Sequence, residues 1–117
     1  MYYAGHDTNI YFLRALLNLN WVTASYNPNQ SPPGGMLRFE LLTDGGAGKF
    51  VKLYFETQSY SQQRSATALS AELGEVPDRS FVAIPKCATG PENSCPLETF
   101  KAVAAAALDA ACVKSTA

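Results

Sequence analysis

The sequence is poor in the residues on which most catalytic motifs depend. Its 117 residues include one histidine, His6, and three cysteines. It has no GxGxxG or P-loop glycine motif, no GxSxG motif and no HExxH motif. The cysteines lack paired CxxC spacing and lie far along the chain from His6, so no metal site is expected. The sequence therefore carries no signature of nucleotide binding, serine hydrolysis or zinc catalysis.

Charge is also scarce. Charged residues make up 16% of the chain and hydrophobic residues 47%, and the formal net charge is −1. Binding to nucleic acid or to an anionic membrane favours an excess of basic residues, so neither partner is expected. No apolar run is long enough to span a bilayer, and no signal peptide is expected, since Met1 is followed directly by Tyr2 and Tyr3. The length fits one domain, residues 1–117, with a modest core.

One stretch near the N-terminus points to chemistry. Residues 5–9 read Gly-His-Asp-Thr-Asn and lead directly into an apolar helical segment. A helix N-terminus favours an anion, a protonated His6 would hold the same anion, and Asp7 would give a proton to a leaving oxygen. The pattern indicates phosphate-ester chemistry. The alternative is that Asp7 or Thr8 only caps the helix and that His6 is an ordinary loop residue.

Further motifs follow this stretch in order along nearly the whole chain. They are Leu19–Trp21, Pro32–Glu40, Phe55–Gln58, Gln62–Arg64, the loop between Cys87 and Cys95, and Cys112. Together with residues 5–9 they resemble the C-terminal part of a histidine acid phosphatase. The resemblance is strongest to the bacterial phytase and glucose-1-phosphatase branch of that family.

The resemblance implies a function and assigns residues to it. In the family the histidine of the His-Asp motif contacts the phosphate, a role that falls to His6. The aspartate is the general acid for the leaving alcohol, a role that falls to Asp7. Thr8 and Asn9, at the same helix start, are assigned to substrate binding. The implied activity is hydrolysis of a phosphorylated small molecule (phytate or a sugar phosphate) at acidic pH, without a metal or organic cofactor.

The sequence departs from the family at the nucleophile. In the family a histidine in an Arg-His-Gly-x-Arg-x-Pro motif attacks phosphorus, whereas this chain has neither that motif nor a second histidine. Two other interpretations therefore stand beside the phosphatase. One is a non-catalytic truncated fragment or anion-binding module, and the other is a structural oligomer that swaps its apolar first helix.

The three cysteines bear on the cellular compartment. Cys87 and Cys95 flank a short loop and are placed to form a disulfide, which leaves Cys112 over. In the resembled family the cysteine that matches Cys112 bonds to a partner in the N-terminal part. A disulfide indicates a periplasmic or secreted protein, and the alternative is three reduced thiols.

The first predicted helix runs from Thr8 to about Leu19 and is apolar nearly all round. Only Arg14 and Asn18 interrupt the apolar run after Asn9. Such a helix is expected to be buried on several faces. A chain of this length has few elements to cover it, so the cover is expected from the missing part of the family or from a second copy. The second copy would make a homo-oligomer through residues 8–19.

The sheet is predicted from alternating patterns. Met36–Leu42 and Phe50–Thr57 alternate on either side of a glycine-rich turn and predict an antiparallel hairpin. Phe81–Ile84 predicts a short strand closed by Pro85, and residues 2–4 are interpreted as the end of a strand that leads to His6.

The polar stretch 58–80, including Gln62–Arg64, is interpreted as a solvated loop rather than a substrate contact. A final helix is expected from Pro96 to about Cys112. The expected fold class is α/β, a partial histidine-phosphatase-like domain. Its short sheet includes the hairpin and is flanked by an N-terminal and a C-terminal helix.

Overall fold

The sheet is built around one strand. In the computed structural model, which describes residues 1–114, β2 (Lys49–Thr57) pairs along nearly its whole length with β1 (Met36–Thr43). The other edge of β2 is shared by β3 (Asp78–Phe81) and the two-residue β4 (Cys95–Pro96). All three pairings are antiparallel. The helices are α1 (Asp7–Leu17), α2 (Tyr60–Arg64) and α3 (Leu97–Ala107).

The α/β fold class and the predicted hairpin are confirmed. Phe39 lies opposite Leu53 in the register, so the apolar side chains of the two strands share one face of the sheet. In the turn between them the Asp44 carboxylate accepts the Gly46 N–H at 2.9 Å. The last three residues of the predicted domain, 115–117, lie outside the described part of the chain.

The prediction of β3 was wrong in position. The ladder runs over Asp78–Phe81 rather than Phe81–Ile84. Val82 and Ile84 are buried in the core, and the Val82 N–H still donates to the Leu53 carbonyl oxygen at 2.8 Å. The polar residues Asp78–Ser80 pair with β2, and side-chain bonds fix two of them in place. The Asp78 carboxylate, for example, accepts the Ala24 N–H at 2.6 Å.

The core lies between the apolar face of β2 and the segment that follows α1. The rings of Trp21 and Phe55 stack with centroids 4.6 Å apart and 12° between their planes. The indole N–H donates to the Gln30 carbonyl oxygen at 3.0 Å, so its one polar atom is satisfied. The buried apolar residues are Leu19, Trp21, Val51, Leu53, Phe55, Val82, Ile84, Cys87 and Cys95.

The N-terminal helix is shorter than the predicted 8–19. It ends at Leu17 because Asn18 adopts the left-handed conformation, with φ 50° and ψ 49°, which turns Leu19 back into the core. Residues 2–4 form no strand in the described structure, where no strand lies beside them to pair with.

The expected burial of this helix is not found within the chain. No residue of α1 is buried, and Phe12 is 63% exposed. Ile10 and Leu17 pack against the core and α1 contacts α3, but the side of α1 that carries Phe12 and Leu16 stays exposed in the described residues. Neither α1 nor the other helices in residues 1–114 have the length and apolar character that a membrane crossing requires.

Two more predictions are corrected towards the C-terminus. Residues 58–80 are not all loop, since Ser59 caps α2 by accepting the Gln62 N–H at 3.2 Å. The final helix ends at Ala107 rather than near Cys112. The Asp109 carboxylate accepts the Ala111 N–H at 2.9 Å and begins a separate 3-10 turn, so the chain does not continue as one helix.

Cys87 and Cys95 are joined by a disulfide, and both are buried in the core. The loop-entropy model predicts about 2–3 kcal/mol of stabilisation for so short a loop. We expect the double variant Cys87→Ala/Cys95→Ala to lose about that amount of unfolding free energy, measured by urea denaturation. Cys112→Ser is the control, because Cys112 is exposed and unpaired in the described structure. An equal loss in the control would show that the stabilisation does not come from this bond.

An ion pair joins Lys52 on β2 to Glu92 in the disulfide loop. Their hydrogen bond raises the pKa of Lys52 and lowers the pKa of Glu92. Because the pKa of Glu92 is lowered in the folded state, its bond to Lys52 stabilises the fold fully at pH values above 4.5, the ordinary pKa of the carboxyl group. This stabilisation is lost as the pH falls through the lower pKa that Glu92 has in the folded state. The raised pKa of Lys52 stabilises the fold below 10.5, so the pair contributes between these limits.

Glu92→Gln is therefore expected to lower the urea midpoint at neutral pH, because it removes the charge partner of Lys52. The difference from the parent chain is expected to shrink as the pH falls below 4.5. A difference that stays constant between neutral and acidic pH would contradict an electrostatic contribution from this pair.

Candidate active site

His6 caps the first helix, where the sequence suggested Asp7 or Thr8. His6 has extended backbone angles, φ −98° and ψ 159°, and the helix begins at the next residue. Its ring Nδ1 accepts the Thr8 N–H at 3.4 Å, and the Asn9 side-chain oxygen accepts the His6 N–H at 2.8 Å. These reciprocal bonds hold the first turn, so His6 is placed by backbone geometry rather than by a strand before it.

The side chains of His6 and Asp7 are in direct contact. His6 Nδ1 meets Asp7 Oδ1, and that oxygen also accepts the Thr8 N–H at 2.8 Å. The two side chains are 78% and 47% exposed. Neither His6 Nε2 nor Asp7 Oδ2 has a hydrogen-bond partner in the described part of the chain. One ring nitrogen and one carboxyl oxygen are thus open to a ligand at the same helix end.

Thr8 and Asn9 are engaged within the turn. The Thr8 hydroxyl lies 3.0 Å from His6 Nδ1 and 3.5 Å from Asp7 Oδ1, and the Asn9 side-chain oxygen Oδ1 accepts the His6 N–H. The Thr8 and Asn9 backbone N–H groups are also used locally. These contacts position the histidine and the aspartate. Substrate binding by Thr8 and Asn9 stays a prediction.

The structure gathers two arginines that are scattered in the sequence. Arg79 Nε donates to Glu56 Oε1 at 2.6 Å, and Arg38 Nη1 donates to the same oxygen at 3.3 Å. Glu40 contacts Arg38 at 2.9 Å and Arg79 at 3.6 Å. The hydrogen bond that Arg79 donates to Glu56, whose side chain is only 6% exposed, raises the pKa of Arg79. Only the register of three strands reveals this cluster, and a local motif search misses it.

No arginine reaches the His-Asp pair in the described contacts. Arg38 and Arg79 are paired with carboxylates, Arg14 donates to Asn20 Oδ1 at 3.2 Å, and Arg64 lies over the ring of Tyr60. Within residues 1–114, no three His, Cys, Asp or Glu side chains come together to hold a metal ion.

Two concavities of the described residues lie away from His6. A groove of about 370 Å³ separates β1 from α3. A second pocket of about 330 Å³ lies beside Glu56 and Thr57. Neither is lined by His6 or Asp7, so the pair lies on an open surface of the chain rather than in a cleft.

Comparisons with known proteins relate the chain to one group of enzymes. It is 38% identical to phytase AppA of Escherichia coli K12 over 79 residues, which are 65% of this chain and 18% of that protein. It is 31% identical to glucose-1-phosphatase of Salmonella typhimurium over 97 residues, 82% of this chain and 23% of that protein. No family model matches the chain.

A solved structure shows the same fold. The structure of Hafnia alvei phytase in complex with myo-inositol hexakis sulphate superposes with a TM-score of 0.86 at 29% sequence identity. The match covers 96% of this chain and 27% of that one. The chain therefore spans only about a quarter of the length of the proteins that it resembles.

Proposed function

Because this chain belongs to the phytase and glucose-1-phosphatase branch of the histidine acid phosphatase family, we propose that it supplies two site residues of a phytase-type acid phosphomonoesterase. His6 contacts the substrate phosphate and Asp7 is the general acid. The observation that carries the proposal is the open His-Asp pair at the start of α1, with His6 Nε2 and Asp7 Oδ2 both available to a ligand. The rest of the site, including the nucleophile, comes from outside this sequence.

The chemistry follows from these two atoms. His6 Nε2–H donates to a phosphoryl oxygen, and the helix N-terminus favours the negative charge there. The attacking group forms its bond to phosphorus as the bond to the substrate's alcohol oxygen breaks. Asp7 Oδ2–H passes its proton to that oxygen, so the product leaves as a neutral alcohol. Asp7 must be protonated for this step, which gives the activity an acidic optimum.

The substrate class is supported by the named relatives. They are a phytase and a glucose-1-phosphatase, and the Hafnia alvei phytase structure holds myo-inositol hexakis sulphate, a ring that carries several tetrahedral anions. Phytate or a sugar phosphate is accordingly the proposed substrate. The buried Cys87–Cys95 disulfide supports a periplasmic or secreted location.

The exposed apolar surface of α1 supports a protein partner for this helix. We assign the surface to the remainder of the longer phosphatase, whose His-Asp site would otherwise lack a nucleophile. The homo-oligomer through residues 8–19 stays the alternative. A non-catalytic anion-binding module is the second candidate function, favoured by the single histidine of the sequence.

The test is reconstitution. The chain is assayed for release of phosphate from phytate at acidic pH, alone and after co-expression with the unmatched part of a related phytase. We expect hydrolysis only in the combined sample, and a loss of about 10²–10³-fold in kcat for His6→Ala, which removes one donor to the phosphoryl group.

Two outcomes would go against the proposal. A combined sample that forms a complex without hydrolysing phytate would favour the non-catalytic module. Equal hydrolysis by the parent and by His6→Ala would show that His6 does not contribute, or that a host phosphatase contaminates both samples.

A further inference from the structure

The helix α1, which carries the His-Asp pair, has few directional contacts with the rest of the chain. No residue of α1 is buried, and the partly buried residues Ile10 and Leu17 supply its apolar contacts with the core. Apolar contacts are non-directional, so they hold the helix against the core without fixing its rotation about its own axis. In the described part of the chain, only one hydrogen bond leads from an α1 side chain to a residue beyond position 20, and it joins Tyr11 to Ser31.

The partner of Tyr11 is a buried backbone group. The Ser31 N–H donates to the Tyr11 hydroxyl oxygen at 3.0 Å, and Ser31 is only 6% exposed. A buried backbone N–H that has no acceptor costs free energy, which favours keeping this bond in the folded chain. Tyr11 therefore ties the helix to one defined point of the loop that leads into β1.

That point is itself fastened to the core. The Asn29 N–H donates to the Trp21 carbonyl oxygen at 2.9 Å, and the Trp21 N–H donates to the Asn29 side-chain oxygen at 2.8 Å. The indole N–H of Trp21 bonds the Gln30 carbonyl oxygen, and the indole ring stacks on Phe55 of the central strand. Ser31 follows directly, so its N–H has a fixed place relative to β2.

Tyr11 lies one helical turn after Asp7 and on the same side of α1, because residues i and i+4 are neighbours on a helix surface. We propose that Tyr11 is a positioning residue for the His-Asp pair and that its bond to Ser31 fixes the rotation of α1 against the core. This proposal rests on the phosphatase function assigned to His6 and Asp7. Tyr11 acts on the site through the helix and does not touch the substrate.

A small rotation of α1 has a large effect at the site. The side-chain tips of a helix lie about 5–6 Å from its axis, so a rotation of about 10° moves the Asp7 carboxyl group by about 1 Å. A misplacement of about 1 Å costs about 10²-fold in rate where the reacting groups need a set geometry. The His6 ring moves with the same turn, because bonds with Thr8 and Asn9 hold His6 to the helix start.

A matched pair of tyrosine variants tests this role. Tyr11→Phe removes the hydroxyl that accepts the Ser31 N–H. Tyr26→Phe makes the same change away from α1, where the tyrosine hydroxyl accepts the Gln63 side-chain N–H at 2.7 Å. Each variant loses one hydrogen bond between distant segments, so both are expected to lower the urea midpoint. The two variants are therefore separated by the orientation of α1 and by activity, not by stability.

The orientation of α1 is measured in the isolated chain by the residual dipolar couplings of its Cα–Hα bonds. The couplings of β2 serve as the internal reference and report that the sheet is folded. We expect the α1 couplings to change relative to those of β2 in Tyr11→Phe and to keep their parent values in Tyr26→Phe. Unchanged α1 couplings in Tyr11→Phe, or an equal change in both variants, would overturn the proposal.

The effect on catalysis is measured in the combined sample used for reconstitution. Tyr11→Phe is expected to lower kcat for phytate by about 10- to 10²-fold, whereas Tyr26→Phe keeps the parent kcat. A parent-like kcat in Tyr11→Phe would contradict the positioning role. An inactive parent sample would instead contradict the proposed phosphatase function, and the dipolar couplings would then decide by themselves whether Tyr11 orients the His-Asp pair.

Discussion

Asp7→Asn is expected to slow phytate hydrolysis by the reconstituted phosphatase by about 10²–10⁴-fold in kcat. The leaving group of phytate is an alkoxide, a strong base that departs only as it gains a proton. Asparagine keeps the size of Asp7 and accepts the Thr8 N–H as the carboxylate does at 2.8 Å, so the turn is retained. It has no proton to release, and the loss therefore reports the general-acid step.

The choice of substrate separates this role from a structural one. The leaving group of a nitrophenyl phosphate is a stable nitrophenolate, which needs little protonation. Asp7→Asn is therefore expected to hydrolyse this substrate at nearly the parent rate. His6→Ala serves as the matched control. It removes a phosphate contact that both substrates use, and it should slow both by similar factors. If Asp7→Asn slows the two substrates equally, Asp7 positions the phosphate or His6 instead of donating the proton.

Phe55→Ala is expected to cost about 3–5 kcal/mol of unfolding free energy, the largest stability effect in this chain. Phe55 lies on the central strand, is completely buried and stacks on Trp21. Alanine would leave a cavity beneath the indole that the disulfide-bonded core cannot readily fill. Since small domains are stable by only about 5–15 kcal/mol, the variant loses much of its margin, which urea denaturation followed by tryptophan fluorescence measures directly.

Phe12→Ala is the matched control for this change. It removes the same side chain from α1, where 63% of Phe12 is exposed, and is expected to shift stability by no more than about 0.5 kcal/mol in the isolated chain. A large loss from Phe12→Ala would mean that α1 is covered in solution by a second copy.

Local patterns predicted the hairpin well. The alternation of Leu37, Phe39 and Leu41 and the glycine-rich turn lie close together in sequence, so the pairing of β1 with β2 follows from short-range preferences. The disulfide was predictable for the same reason, because its two cysteines are separated by only eight positions.

Positions that depend on distant contacts were predicted less well. The apolar run at Val82 and Ile84 suggested a strand, yet most of the pairing with β2 lies on the residues before it, where the Asp78 carboxylate also accepts the Ala24 N–H. The final helix looked continuous to Cys112, but it ends at Ala107, and the Asp109 side chain accepts the Ala111 N–H and begins a separate 3-10 turn. Helix propensity alone does not show whether a side chain will bond a nearby backbone N–H instead of letting the helix continue.

Candidate chemistry was visible in the sequence because it resides in adjacent residues, His6 and Asp7, at a helix start. Their orientation follows from local cap bonds, in which His6 Nδ1 accepts the Thr8 N–H and the Asn9 side chain accepts the His6 N–H. The meeting of Arg38 and Arg79 at Glu56 depends on three-dimensional placement. Local periodicity records which face of an element is apolar, whereas the register between strands and the presence of a covering element depend on contacts between distant segments.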